Sequence, residues 1–251
     1  MSLPVHLVPS LDGVSPGTLV RVEGDEAHHA VTVRRLQVGE ALVLTDGRGA
    51  VAEGEVEASG KRTLDVRLTS YDVVPEPAPS VTVVQALAKG DRGERAVEML
   101  TEIGAARIVP WAAARSVAAW KGERAAKALA RWQATAREAA KQARRAWHPQ
   151  VTELASTTEV TSLVSAADLA VVLHEEAMSS LSGLSVPETG SILVVVGPEG
   201  GLSEAEVSTF VDAGAHAVRL GAEVLRTSTA GVAATAAILS RTPRWLRCEE
   251  R

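Results

Sequence analysis

The sequence predicts an α/β fold in which a small, mostly β N-terminal domain, arranged as a barrel, precedes a larger domain with a mainly parallel sheet. The boundary is a proline-rich linker over 75–80, where three alternating prolines favour an extended connector. Beyond this linker apolar strands alternate with helices, which is typical of a parallel sheet covered by helices on both faces. We therefore expect one domain over 1–74 and a second over 81–251.

Short segments rich in β-branched residues indicate the strands of the N-terminal domain. A single helical segment over 25–36 interrupts them, and an Asp46-Gly47 turn ends one of the strands. The strands are expected over 19–22, 41–45, 51–58 and 63–68. An antiparallel set of this size is sufficient for a small barrel.

The second domain is predicted from apolar runs that end at turn signals and from longer stretches with helical periodicity. Strands are expected over 81–86, 106–109, 169–173, 192–196 and 217–220. Helices are expected over 94–103, about 122–147, 203–213 and about 227–240. Alanines at helical spacing in the last helix allow another helix to approach closely, either within the chain or in a second copy.

The most informative segment is 193–202, where an apolar run breaks into Gly197-Pro-Glu-Gly-Gly201. Ser203 and Glu206 then form a Ser-x-x-Glu capping box that opens a helix. Glycines in such a loop allow a flat ligand to approach the main chain, and loops at the carboxyl ends of strands are common ligand sites. A second strand, loop and helix follow over 218–239. Taken alone, the Gly-Pro-Glu-Gly-Gly segment is equally compatible with a tight strand-to-helix turn that binds nothing.

Several chemistries have no support in the sequence. No Gly-x-Gly-x-x-Gly follows a strand and no Gly-Lys-Ser/Thr is present, which argues against a dinucleotide or ATP. The six histidines are scattered, and neither Cys-x-x-Cys nor His-Glu-x-x-His occurs, so we expect no metal site. The absence of Gly-x-Ser-x-Gly leaves hydrolysis by a serine nucleophile unsupported.

Charge is distributed unevenly along the chain, whose net charge is −5. Residues 78–148 carry 13 Lys and Arg against 6 Asp and Glu, whereas the segments on either side are acidic. A solvated helix face is one explanation, but few acids are available for pairing along this helix, so contact with phosphates explains the block better. We expect most of the interleaved tryptophans to pack in the core. The block is densest at Lys121, Arg124, Lys127, Arg131, Arg137, Lys141, Arg144 and Arg145.

Taken together, the loops over 197–201 and 220–230 resemble those of the SPOUT superfamily of RNA methyltransferases, and within it the enzymes that methylate 16S ribosomal RNA. Matches to the same family run from His29 through Asp46-Gly47-Arg48-Gly49 to Lys89-Gly90 and Glu138-Ala-Ala. The chain departs from the family at Ser228, where an acidic residue is expected, and at Ala222-Glu223, where a proline-led pair is expected. A role that requires a carboxylate at position 228 is therefore in doubt.

The resemblance implies the fold, the reaction and the assembly. It implies a PUA-like N-terminal domain that binds RNA, and a C-terminal trefoil knot over about 169–240 that binds S-adenosyl-L-methionine. The implied reaction is methylation of N3 of a uridine in 16S ribosomal RNA of the small subunit, by a homodimer. Two alternatives stay open: a catalytically silent RNA-binding or ribosome-assembly factor, and a SPOUT methyltransferase acting on transfer RNA.

The resemblance also suggests site residues. Arg226 is the candidate cation for stabilising the uracil anion, and Glu199 is the candidate acid–base or orienting carboxylate. The cofactor pocket is expected to include Leu173, Gly197, Glu199, Gly200, Gly201, Leu220, Gly221, Leu225, Arg226, Thr227 and Thr229. The residues expected to contact RNA are Arg35, Arg48, Lys89, Arg137, Lys141, Gln142, Arg144 and Arg145.

Composition suggests a soluble cytoplasmic protein without a membrane partner. The sole cysteine, Cys248, has no partner for an internal disulfide, which suits a reducing compartment. The first nine residues do not have the pattern of a secretory signal, and no run of 18 apolar residues is present.

Overall fold

The computed structural model describes residues 3–246 and divides the chain into two compact units. The first comprises Met1–Glu76 with Ala140–His148, and the second comprises Pro77–Ala139 with Pro149–Arg251. The division after residue 76 falls within the expected linker, but 140–148 was expected in the second domain. This segment belongs to the first unit because its backbone pairs there: the N–H of His148 donates to the Gly47 carbonyl (2.9 Å), and Gly49 donates to Ala146 (3.0 Å).

The first unit contains a six-stranded sheet. The main path runs β1-β3-β4-β5-β2, with β6 paired to β4, and every pair is antiparallel except β1 with β3. Alternate residues point into one apolar core, in which Leu42, Leu44, Leu64 and Val66 are fully buried. The strands are β1 (Val5–Leu7), β2 (Leu19–Glu23), β3 (Ala41–Thr45), β4 (Ala50–Ser59), β5 (Thr63–Leu68) and β6 (Asp72–Val73).

The helical segment expected over 25–36 is shorter and irregular. It consists of α1 (Gly24–His28) and a wider π-helical turn over His29–Val33. Arg35 has a φ of 58°, a left-handed conformation that an α-helix cannot continue through, so the helix ends before this residue.

A buried charge cluster lies within this unit. The Lys141 ammonium donates to the Glu26 carboxylate at 2.8 Å, and His6 Nδ1 lies 3.5 Å from its other oxygen. The His6 and Lys141 side chains are only 1% and 7% exposed. Burial alone would raise the pKa of Glu26, but His6 and Lys141 outweigh this and lower the pKa to about 2. Lys141 is therefore an internal ion-pair partner, which is at odds with its expected contact to RNA phosphate.

The second unit is built on a seven-stranded sheet in the order β11-β13-β10-β12-β7-β8-β9. Every neighbouring pair in this sheet is parallel, which confirms the predicted α/β class. The strands are β7 (Ser80–Ala86), β8 (Arg107–Trp111), β9 (Gln150–Val151), β10 (Leu169–Leu173), β11 (Ser179–Ser180), β12 (Ser191–Val196) and β13 (His216–Arg219).

Helices cover both faces of this sheet. Alternate residues of β12 point to opposite sides, so Val194 lies in one apolar cluster with residues of α2, α3 and α6, whereas Val195 lies in a second with residues of α4 and α5. Trp111 and Phe210 pack edge to face in this second cluster, with ring centroids 5.4 Å apart. The helices are α2 (Arg92–Ile103), α3 (Glu123–Gln142), α4 (Thr157–Ala166), α5 (Glu204–Asp212), α6 (Thr227–Leu239) and α7 (Pro243–Leu246), with a 3₁₀ turn at Leu181–Gly183.

Helix α3 ends at Gln142, five residues earlier than expected. Arg144 has a φ of 53°, and the N–H of Arg145 returns to the carbonyl of Ala140, so a turn replaces the last part of the expected helix. Trp132 of this helix is buried and packs edge to face on Trp120, as expected for core tryptophans.

The alanine-rich helix α6 packs within the chain against α2 and the sheet. Ala234 is fully buried, and a Cβ added to Gly231 would lie 3.1 Å from Val196 and 3.4 Å from Leu100. Over residues 3–246, no helix is long and apolar enough to cross a membrane, and no group of three metal-binding side chains is present. Cys248 lies outside the described residues.

The Glu26 cluster leads to a pH-dependent stability prediction. The pKa of Glu26 is lower in the folded protein than its ordinary value of 4.5, so its contribution is complete above about that pH and is lost as the pH falls toward 2. Glu26→Gln should lower the free energy of unfolding near pH 7 by about 3 kcal/mol, because it leaves Lys141 buried without its anion.

Urea unfolding of the parent and the variant at several pH values measures this difference, which should shrink below about pH 4. Glu57→Gln is the matched control, because Glu57 pairs with Arg67 on the exposed surface of the same unit. An equal loss in both variants, or a Glu26→Gln difference that does not change with pH, would contradict the role of the buried pair.

Candidate active site

A cavity of about 460 Å³ opens at the carboxyl ends of three adjacent strands, β13, β10 and β12. The last residues of these strands, Arg219, Leu173 and Val196, line it together with the loops that follow. Arg92, at the start of α2, also lines the cavity. The edge formed by the carboxyl ends of parallel strands is the usual position for a ligand in an α/β fold.

The glycine loop between β12 and α5 has a defined turn geometry. Gly201 has a φ of 70°, and its N–H donates to the carbonyl of Pro198 at 3.0 Å. A Cβ on Gly197 would lie 3.1 Å from the Leu202 side chain, so only glycine fits there without displacing a neighbour. The predicted capping box is confirmed, with Ser203 and Glu206 bonded reciprocally at the start of α5.

A buried hydrogen-bond chain joins this loop to the start of α6. The Thr227 hydroxyl donates to the Gly197 carbonyl at 2.8 Å and accepts from Gln85 Nε2 at 3.0 Å. Gln85 lies near the carboxyl end of β7, is 1% exposed and also donates to the Thr227 carbonyl. The two loops that the sequence singles out are therefore connected through the polar side chain of a third element.

Glu199 is held at the start of α2. Its carboxylate accepts from the backbone N–H of Lys89 and from the Arg92 guanidinium, both at 3.0 Å. Desolvation would raise the pKa of Glu199, but hydrogen bonds from its own backbone, Lys89 and Arg92 lower it overall. This carboxylate is therefore ionised and engaged, a state that suits orientation of neighbouring groups better than acceptance of a proton.

Arg226 is the N-cap residue of α6 and lines the cavity from its exposed side. Within the described chain, no hydrogen bond or ion pair holds its guanidinium. Glu175 and Glu223 also line the cavity, and the side chains of Val224 and Leu225 are exposed on its rim. The cavity thus combines apolar walls with both signs of charge.

Most of the expected pocket residues line this cavity. Gly200 and Thr229 are not part of the described lining: Gly200 backs onto Arg115, and the exposed Thr229 donates its hydroxyl hydrogen to the Arg226 carbonyl. Ser228 is buried in the first turn of α6 and does not line the cavity either. The expected residues that line the cavity are Leu173, Gly197, Glu199, Gly201, Leu220, Gly221, Leu225, Arg226 and Thr227.

Sequence reasoning missed Gln85, Arg92 and Arg115. Gln85 carries the one signal that was readable, since a single amide in a run of apolar strand residues must find buried partners. Nothing in the local sequence distinguishes Arg92 or Arg115 from other surface arginines.

The residues expected to contact RNA are mostly exposed. Arg35, Lys89, Arg137, Gln142 and Arg144 are exposed, and Arg145 is half-buried. Arg48 donates to the Pro9 carbonyl at 3.0 Å and lies near Asp46, so part of its charge is already engaged. Lys141 alone among the eight is buried.

Comparison with known proteins agrees with this architecture. The family model for an RNA methyltransferase domain matches residues 75–239, and that for an RNA methyltransferase PUA domain matches residues 22–69. Fold and site thus define an RNA methyltransferase with an N-terminal PUA domain.

The chain belongs more narrowly to the ribosomal RNA small subunit methyltransferase E family. The member from Mycobacterium bovis is 47% identical over 233 residues, which cover 91% of this chain and 89% of the relative. The crystal structure of the Neisseria gonorrhoeae member bound to S-adenosyl methionine matches with a TM-score of 0.84 at 28% identity, over 95% of this chain and 98% of that one. The structure of a Legionella pneumophila methyltransferase in complex with the bound cofactor SAM matches with a TM-score of 0.87 at 25% identity, over 96% of this chain and 99% of that one. The predicted family membership is confirmed.

The left-handed conformation of Gly201 leads to a test of the pocket. Gly201→Val should abolish binding of S-adenosylmethionine while the protein stays folded, because a β-branched residue is strained by about 1–3 kcal/mol at positive φ and would distort the loop. Isothermal titration measures the affinity, and circular dichroism verifies the fold.

Gly183→Val is the matched control, because a Cβ there meets no atom within 4 Å and Gly183 does not have a positive φ. Undiminished affinity in a folded Gly201→Val protein would remove this loop from the cofactor site.

Proposed function

We propose that this protein methylates N3 of a uridine in 16S ribosomal RNA of the small subunit, with S-adenosyl-L-methionine as methyl donor. The observation that carries the proposal is the glycine-lined cavity at the sheet edge, in a chain that matches ribosomal RNA small subunit methyltransferase E proteins over nearly its whole length. Family membership supports the enzyme class. The match to two structures that hold the cofactor supports the choice of donor.

The residues of the cavity fit this cofactor. A volume of about 460 Å³ is in the range of small-molecule sites. Leu173, Leu220 and Leu225 offer apolar contact to an adenosine, and the main chain at Gly201 is open to close approach. When bound, S-adenosylmethionine supplies a methyl group on a positively charged sulfur. The carboxylates of Glu175 and Glu223 at the cavity wall complement that positive charge.

The protein's part in the reaction is mainly positioning. N3 of uridine carries a proton at neutral pH, and this proton passes to water as the bond from N3 to the methyl carbon forms, so the base becomes anionic at its oxygens during the transfer. Arg226 stabilises this charge, because its guanidinium is permanently cationic and free to face the base from the edge of the cavity. The lowered pKa of Glu199 makes this carboxylate a weak proton acceptor. Its role is instead to orient Arg92, which donates a hydrogen bond to it at the start of α2.

Recognition of the RNA is assigned to four exposed cations, two in each unit. The PUA match supports RNA binding by the first unit, where Arg35 and Arg144 are exposed. Lys89 and Arg137 are the corresponding exposed candidates of the second unit. Phosphate contacts of this kind give affinity and register, and selection of the base depends on the shape of the cavity.

Three further features are proposed from the family resemblance: a homodimer, a trefoil knot over about 169–240, and a cytoplasmic location. Exposed Met178 and Val224, which are 92% and 78% accessible, support contact with a second copy. Sedimentation equilibrium tests the dimer.

Incubation of the purified protein with methyl-labelled cofactor and small subunits from a strain lacking the enzyme tests the reaction. After digestion of the RNA, label should appear on N3 of a uridine in 16S ribosomal RNA. Label confined to transfer RNA, or found on carbon or ribose, would identify a different methyltransferase. Failure to bind the cofactor at all would favour a silent RNA-binding factor.

Arg226→Ala tests the proposed anion-stabilising cation. The variant should lose about 10²–10³-fold in kcat, the usual effect of removing a donor that acts on charge developed in the transition state. Affinity for the cofactor should change little. Arg226→Lys, which keeps the charge but not the fork of donors, should recover part of kcat. A kcat unchanged in Arg226→Ala under saturating substrates would exclude this role.

Charge reversal at Arg137 and Arg144 tests phosphate contact. The double variant to Glu should weaken binding to 16S ribosomal RNA and flatten its salt dependence by about one unit of slope, or less, per lost contact. Filter binding at several salt concentrations measures both quantities. Lys61→Glu with Arg62→Glu makes the same change in charge on an exposed turn and is the matched control. If both double variants weaken RNA binding equally, the loss reflects net charge and contradicts phosphate contact by Arg137 and Arg144.

A further inference from the structure

Arg115, which lies between β8 and α3, contacts the glycine loop from outside the cavity. Its Nη1 donates to the carbonyl of Leu202 at 3.0 Å and to that of Gly200 at 3.3 Å. It is separated from these residues by 87 and 85 positions in the sequence. The two carbonyls flank Gly201, the loop residue with a positive φ.

The consequence is that two peptide groups of the loop, separated by the Gly201–Leu202 peptide, are each held at both ends. The peptide between Gly200 and Gly201 has its oxygen on Arg115 and its N–H on the Pro198 carbonyl, at 3.0 Å. The peptide between Leu202 and Ser203 has its oxygen on Arg115 and its N–H on Glu206 Oε2, at 2.8 Å. A peptide group bonded on both sides cannot rotate without breaking a hydrogen bond.

The arginine itself is placed by the same network. The backbone N–H of Ala114 donates to Glu206 Oε1 at 2.7 Å, and Glu206 is 4% exposed. A Cβ on Gly200 would lie 3.3 Å from Arg115 Cβ and 3.4 Å from its carbonyl oxygen. Glycine at position 200 therefore allows the Arg115 segment to pack closely against the loop, on the side away from the cavity.

We propose that Arg115 is a positioning residue for the cofactor, and that it holds the glycine loop in the binding-competent conformation before the cofactor arrives. This inference rests on the proposed function, because it assigns the loop to S-adenosylmethionine. Arg115 does not line the described cavity and so does not contact the cofactor directly. It acts by raising the fraction of molecules whose glycine loop is in the binding-competent conformation. When that fraction falls to about one tenth, the apparent Kd rises about tenfold.

The side chain at this position has to be arginine. The two hydrogens on Nη1 lie in the plane of the guanidinium at fixed angles, so one nitrogen serves two carbonyls on either side of Gly201. A lysine ammonium is a flexible point donor and is more strongly hydrated. Arg115→Lys is therefore expected to restore only part of the effect that is lost in a variant without donors.

Arg115→Met tests the proposal, because methionine keeps an unbranched stem and removes every donor. Without any cofactor, the amide hydrogens of Gly201 and Ser203 should exchange about tenfold faster than in the parent, while amides of β12 are unchanged. Titration should give an apparent Kd for S-adenosylmethionine about tenfold higher. At saturating cofactor, kcat should stay within about twofold of the parent, so that the loss appears in KM for the cofactor.

Two further measurements distinguish positioning from general destabilisation. Arg62→Met, which removes an exposed arginine of the first unit, should leave exchange, Kd and KM as in the parent. Guanidinium chloride, added well below denaturing concentrations, should restore part of the cofactor affinity of Arg115→Met and none in Gly201→Val. Unchanged exchange at Gly201 and Ser203, or an unchanged Kd, overturns the proposal. If the parent itself fails to bind S-adenosylmethionine, the proposed function fails, and the exchange rates alone decide whether Arg115 holds the loop.

Discussion

The Thr227 hydroxyl is the interaction on which the arrangement of the site depends. It donates to Gly197 and accepts from Gln85, and so joins residues that are 30 and 142 positions away in the sequence. These groups are largely removed from water, where a polar atom without a partner costs about 1–3 kcal/mol. The start of α6 and the glycine loop therefore cannot move independently. This hydrogen-bond chain therefore helps to fix the shape of the cavity that lies between them.

Around this central contact, several polar groups of the glycine loop are bonded to other elements. Glu199 is held at the start of α2, the carbonyls of Gly200 and Leu202 are held by Arg115, and the end of the loop is capped by Glu206. A loop fixed at so many points pays little entropy when a ligand binds. The Arg226 guanidinium is the contrast: it lies at the same cavity, and no group among residues 3–246 pairs with it, which suits a cation that responds to charge developing on a substrate.

The charge pattern of the chain has two different physical meanings. In the second unit, Arg137 is exposed and available to a polyanion, whereas in the first unit Lys141 is sequestered by Glu26. Both belong to the same basic run of the sequence. Exposed cations contribute to long-range attraction, while a buried pair contributes to the specificity of packing and depends on pH through the ionisation of its acid.

The sequence by itself determined the α/β class, most strands of both sheets and the capping box at Ser203, because alternation, periodicity and capping are local properties of a few neighbouring residues. It also located the two loops of the site. Only the tertiary structure decided that β1 pairs with β3, that α3 ends at Gln142, that Lys141 is buried, and that Gln85 and Arg115 hold the loops. These features depend on a strand order that differs from chain order, which brings residues far apart in the sequence within hydrogen-bonding distance. No local pattern carries that information, because the pairing of distant elements is selected by the packing of the whole unit.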